Sequence, residues 1–151
     1  MVSHKISAKH KAAHGATLIE VLIAVAIAVL IIGTTAPFTL EFYQRSELHT
    51  EQRNIVAYLI LARSRAMANK NQMSQGLYLD NSNATIFQGP SYANRNPVED
   101  LILPRSKIVG VSDASEIIFT QLSGTTTAAT TTLRVGQAIR YVVINPEGLI
   151  Q

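Results

Sequence analysis

Hydrophobic positions fall along this chain in three regimes, and each predicts a different kind of element. Residues 16–36, "ATLIEVLIAVAIAVLIIGTTA", are apolar throughout except at Thr17, Glu20, Gly33, Thr34 and Thr35. As a helix these 21 residues would run about 32 Å at 1.5 Å per residue, enough to cross a hydrocarbon core of about 30 Å. A buried helix of a soluble protein keeps a polar face, whereas Val21 to Ile32 has none, so the pattern favours a membrane helix.

From Phe38 to Asn69 the chain has neither Gly nor Pro and the period changes to that of an amphipathic helix. Leu48, Ile55, Leu59, Ala62 and Ala66 form one stripe, expected to face a core. Arg45, Glu47, Glu51, Arg53, Arg63 and Arg65 fall mostly beside or opposite it, and Arg63 and Arg65 read as solvated helix charges. If residues 16–69 form one helix, its 54 residues span about 80 Å, a length that makes sense if half lies in a membrane and half packs on a domain.

After Lys70 the pattern becomes that of short strands. "MSQGLYLD" and "ATIFQG", separated by Asn81 to Asn83, predict a hairpin. "EIIFTQL" predicts a strand, and "TTTLRVG" with "AIRYVVIN" around Gly136-Gln137 predicts a second hairpin. The intervening segment Gly89 to Lys107, rich in Pro, is expected to be a surface excursion, and Gly124 to Thr132 a flexible loop whose threonines could extend the neighbouring strands. The expected fold class is α+β, with a long N-terminal helix, membrane-spanning in its first half, packed on a small antiparallel β-sheet domain. The expected divisions are a leader at 1–15, a transmembrane helix at 16–37, its amphipathic continuation at 38–70 and a β domain at 71–151.

Composition changes this picture at the front end. At 47% apolar residues the 151-residue chain is not a disordered one, and it is long enough for one domain plus an appendage. The net charge of +3 looks basic, yet three of the 13 Lys and Arg (Lys5, Lys9 and Lys11) precede Gly15, so the rest of the chain balances its 10 Asp and Glu. Without clustered cations there is no electrostatic footprint for nucleic acid, which is not expected as a partner. The absence of Cys excludes disulfides, thiolate metal sites and cysteine catalysis.

The leader "MVSHKISAKHKAAHG" is polar and basic and ends in a small residue before the apolar run. A secretory signal has the opposite order, with its apolar stretch ahead of the cleavage site. Lysines here would keep the leader on the cytoplasmic side and place the C-terminal domain outside the cytoplasm. Glu20 stands out, because a carboxylate inside a membrane helix costs about 2.5–3.5 kcal/mol and such residues are usually paired.

"GATLIEVLIAVAIAVLIIG" resembles the processing site and hydrophobic helix of type IV prepilins and type II secretion pseudopilins. The resemblance implies that a prepilin peptidase cuts after Gly15 and methylates the new amine of Ala16. It implies that Glu20 pairs with the N-terminal amine of a neighbouring subunit, and that Pro37 loosens or kinks the helix. Ala16 departs from the phenylalanine most common after the cut. "LILARSRAMA", the order of elements and the terminal "INPEGLI" are similar to the H-type, FimT-like minor pseudopilins. The resemblance covers nearly the whole chain but is specific only over His14 to Gly33.

The function it implies is a structural minor pilin or pseudopilin of a type IV pilus or type II secretion filament. Its partners would be other pilins, the prepilin peptidase, an assembly platform in the inner membrane, and membrane lipid. Two alternatives stay open. One is a single-pass anchored binding module outside the cytoplasm. The other is a DNA-uptake minor pilin, although "NPEGLIQ" carries no basic tail and only Arg134 and Arg140 lie near.

No catalytic constellation is legible, and no cofactor is expected. His4, His10 and His14 lie in the leader without a carboxylate, while Asp80, Glu99, Asp100 and Asp113 lack the spacing of a calcium loop. Ser123-Gly124 has no nucleophile-elbow frame, and His49 sits alone on the long helix.

Overall fold

A computed structural model of the chain describes residues 17–113 and 115–151, with the side chains of 34–39 excepted. Contacts divide the chain into two units, Met1–Thr39 and Leu40–Gln151. The helix α1 has the bounds Leu18–Met67. It ends where Ala68 N–H donates to the Ser64 carbonyl at 2.8 Å and Asn69 turns left-handed at φ 55, a conformation Asn tolerates better than most residues.

In the second unit every residue of the predicted apolar stripe is buried: Leu48, Ile55, Leu59, Ala62 and Ala66. Among the described residues seven strands follow: β1 (Gln75–Leu79), β2 (Asn83–Gln88), β3 (Leu101–Pro104), β4 (Gly110–Asp113), β5 (Glu116–Phe119), β6 (Ala129–Val135) and β7 (Ala138–Ile144). They form two antiparallel sheets, one ordered β3-β2-β1-β5 and the other β4-β6-β7. The protein is therefore α+β.

Strand alternation decides what meets the helix. Leu77 pairs with Ile86 and Ile117, and Leu79 with Ala84, so one face of the larger sheet is apolar and joins the helix stripe in a single core. Leu133, Val135, Val142 and Ile144 supply the same from the smaller sheet. Each fully buried side chain of this size stabilises the fold by about 1.5–3 kcal/mol.

The opposite face of the larger sheet is covered by the segment between β2 and β3. Phe87 lies over Gly76, leaving room for no side chain there, since a Cβ would sit 2.4 Å from the ring. Tyr92 stacks on Tyr78 at 3.8 Å between ring centres and meets Phe87 edge-on at 5.7 Å.

Both predicted hairpins are present. Asp80 Oδ1 accepts from Ser82 and Asn83 N–H at 2.6 and 2.7 Å and so closes the first turn. Gly136 turns the second at φ 55, the first central position where a II′ turn favours Gly. One expectation needs correction. The segment Gly89 to Lys107 is no mere excursion, because Leu101–Pro104 pairs with β2 as an edge strand. The threonines of the segment Gly124 to Thr132 extend a strand, as their sequence allowed: β6 begins at Ala129 and pairs with the whole of β7.

Candidate functional site

Of the predicted site residues, Gly15 and Ala16 lie outside the described residues, and so does the side chain of Pro37. Glu20 is described, in the first turn of α1 and exposed. Its backbone N–H donates to Thr17 Oγ1 at 3.3 Å. Thr17 is thus the N-cap of α1, and Thr17-Leu18-Ile19-Glu20 has the form of a capping box: a hydroxyl at the cap, a glutamate three residues on, an apolar run behind. A carboxylate in a first turn is also favoured by the helix dipole, by about 0.3–1 kcal/mol at an exposed site. The cap that Thr17 supplies is a feature the membrane pattern concealed, although its signal, Thr-x-x-Glu before an apolar run, is readable in the sequence.

Around and beyond Glu20 the surface is apolar. Leu18, Ile19, Val21, Leu22, Ile23, Val25, Ile27, Val29, Leu30, Ile31 and Ile32 are each between 52% and 79% exposed. These positions lie on every side of the helix, so no single groove of a partner domain could cover them. Among the described residues no helix is long and apolar enough to cross a membrane. The described apolar stretch, Leu18 to Gly33, would run only about 24 Å at 1.5 Å per residue, and apart from Thr17 the rest of the expected span falls on residues whose side chains are not described.

Several charges of the second unit do structural work. Arg105 Nε donates to Glu51 Oε1 at 2.7 Å, its other nitrogens reach the Asp80 and Val109 carbonyls, and both side chains are buried. Glu51 lies inside the helix stripe, three residues after Leu48, rather than beside it. Arg63 is also no free charge: it donates to the Gly124 carbonyl at 3.3 Å and the Glu147 carbonyl at 3.0 Å, tying two loops to the helix. Arg95 Nε meets Asp100 Oδ2 at 2.8 Å, and that carboxylate holds the guanidinium above its ordinary pKa while the guanidinium caps the Tyr92 ring at 3.8 Å.

The chain matches no family model, no curated protein and no solved structure.

Among the described residues no group of three or more His, Asp or Glu is placed to hold a metal ion. What remains as a candidate site among the described residues is the first unit: a carboxylate next to a capped helix start, followed by an exposed apolar surface. Such a surface can do one thing chemically, which is to associate with lipid or with other apolar helices, and Glu20 can accept a cation as it does so.

Proposed function

We propose that the protein is a minor pilin or pseudopilin subunit, processed between Gly15 and Ala16 and assembled into a filament through its N-terminal helix. The observation that supports this most is the apolar surface of residues 18–32, exposed on all sides of α1 in the single chain and interrupted by one carboxylate. Before assembly, lipid covers that surface with residues 16–37 as the membrane span; afterwards the helices of neighbouring subunits do. Glu20 then has a reason to sit where it is expensive, since the new amine of a neighbour's Ala16 can pair with it in a poorly solvated setting.

The remainder of the scheme follows from that exchange. The lysines of the leader hold residues 1–15 on the cytoplasmic side of the inner membrane, where a prepilin peptidase removes them, and the β domain lies on the other side. An assembly platform in the membrane passes the subunit to other pilins. The test is N-terminal sequencing of the chain extracted from membranes of cells with active prepilin peptidase. A mature terminus at Ala16, and accumulation of precursor in Gly15→Leu, is the expected result. A chain that still begins at Met1, or a Gly15→Leu variant that matures normally, overturns the assignment.

A further inference from the structure

We propose that the second unit carries a binding groove for the phosphate of an anionic lipid headgroup, built by the start of its helix and the β6–β7 hairpin. The groove has a volume of about 500 Å³. Glu41, Gln44, Arg45 and Leu48 line it from α1, and Gln137 and Arg140 from the hairpin. The hairpin tip lies close because Gly136 has no side chain, a Cβ there standing 3.2 Å from Gln44 Oε1.

The chemistry is that of an anion site. Arg140 is exposed and makes no ion pair among the described residues. Among the described residues Arg45 pairs with Glu41 alone, at 3.9 Å, an exposed pair one helical turn apart that solvent screens. Two guanidinium groups can therefore turn to one phosphate, for which their planar forks are suited, and the amides of Gln44 and Gln137 offer further donors. Leu48 provides an apolar floor.

The occupant follows from what surrounds the groove. Leu40, Phe42 and Tyr43 are exposed on the same stretch of helix, immediately after the apolar segment ends, and exposed aromatic residues next to arginine are the composition of a membrane–water boundary. A nucleic acid would need a longer basic track than two arginines beside a glutamate. The site presupposes the membrane placement proposed above.

The experiment uses the full chain in nonionic detergent micelles, with lipid adducts counted by native mass spectrometry after addition of dioleoylphosphatidylglycerol or dioleoylphosphatidylcholine. Phosphatidylglycerol should be retained preferentially, with the preference falling about fivefold for Arg140→Gln and again for Arg45→Gln, the effect of one basic residue at an anionic surface. Glu41→Gln should raise it, an opposite change that a misfolded variant would not give. Equal retention of the two lipids, indifference to Arg140→Gln, or displacement of the lipid by inorganic phosphate at equal concentration overturns the headgroup site. Retention of duplex DNA with the same arginine dependence would do so as well. Cell fractionation separates the two proposals: a membrane-bound chain without lipid preference loses this site alone, whereas a chain recovered free of membranes loses both.

Discussion

Arg105 and Glu51 stand 54 residues apart in sequence and meet at 2.7 Å in the interior, where the guanidinium also holds the carbonyls of Asp80 and Val109. One arginine thereby joins α1, the β1–β2 turn and the segment after β3. A buried pair of this kind gains little over an apolar replacement of the same shape, but removing one partner strands the other charge. Arg105→Met should therefore cost about 3–5 kcal/mol in denaturant unfolding, and Glu51→Leu combined with it should recover most of that loss. If the double variant is as unstable as the single one, the carbonyl contacts rather than the stranded carboxylate hold this corner.

Gly76 is required by the ring of Phe87, which occupies the space where a side chain would begin, 2.4 Å from a Cβ. Gly76→Ala should cost about 1–3 kcal/mol by overpacking. Shortening the opposing side chain should relieve the clash, so the same substitution should cost less in a Phe87→Leu background. Additive costs in a double-mutant cycle of unfolding free energies would mean that the backbone, including the Ile117 carbonyl at 2.9 Å, sets the requirement instead.

These two relationships differ in how far the sequence reveals them. The α1 stripe from Leu48 to Ala66 and both hairpins were legible because their signals are local: a 3.6-residue period, and turn residues between β-prone runs. Glu51 reads as an ordinary helix charge because its partner is distant. The strand β3 hides behind Pro104, which an edge strand accepts at its end, and β4, Gly110–Asp113, is too polar to be seen without its pairing to β6. The stacking of Tyr92 on Tyr78 has no local signature at all. At the front end the reverse holds, for Gly15, Ala16 and Glu20 are conspicuous in sequence, while the cap that Thr17 offers Glu20 is easily passed over once the run is read as membrane.

The segment between β2 and β3 should open without unfolding the protein when its clamp is weakened. Arg95 Nη1 donates to the Tyr92 carbonyl at 2.7 Å while Nε holds Asp100, and its plane covers the Tyr92 ring. Lysine keeps the charge but has neither the fork nor the plane. In Arg95→Lys, amide hydrogen exchange should quicken at Tyr92 and Asn96, whose N–H groups donate to Glu116 Oε1 at 2.6 Å and the Gln88 carbonyl at 3.0 Å, while the β1 amides stay protected. Uniform acceleration across the larger sheet would show that the segment is part of its cooperative core.

The assembly role proposed for Glu20 can be told from a capping role by three substitutions. As part of the cap, it works with Thr17 Oγ1, which accepts the Glu20 N–H at 3.3 Å; as an assembly group, it needs its charge for the amine of a neighbouring subunit. Thr17→Val removes the cap acceptor at a cost of about 1 kcal/mol to the helix start and leaves the carboxylate alone. Glu20→Gln keeps a side chain suited to a capping box but discards the charge. Glu20→Leu discards both and should insert into membrane as well as the native chain or better, since it removes a penalty of about 2.5–3.5 kcal/mol at mid-bilayer. Under the pairing role, the fraction of protein co-sedimenting with sheared filaments should fall for Glu20→Gln and Glu20→Leu alike, with Thr17→Val close to native once normalised to membrane content. Under capping alone the ranking changes: Thr17→Val and Glu20→Leu fall together and Glu20→Gln assembles normally. Because a helix cap and an ion pair answer differently to the loss of charge at constant shape, the behaviour of Glu20→Gln alone decides between them, and normal assembly of that variant would overturn the pairing role proposed for this carboxylate.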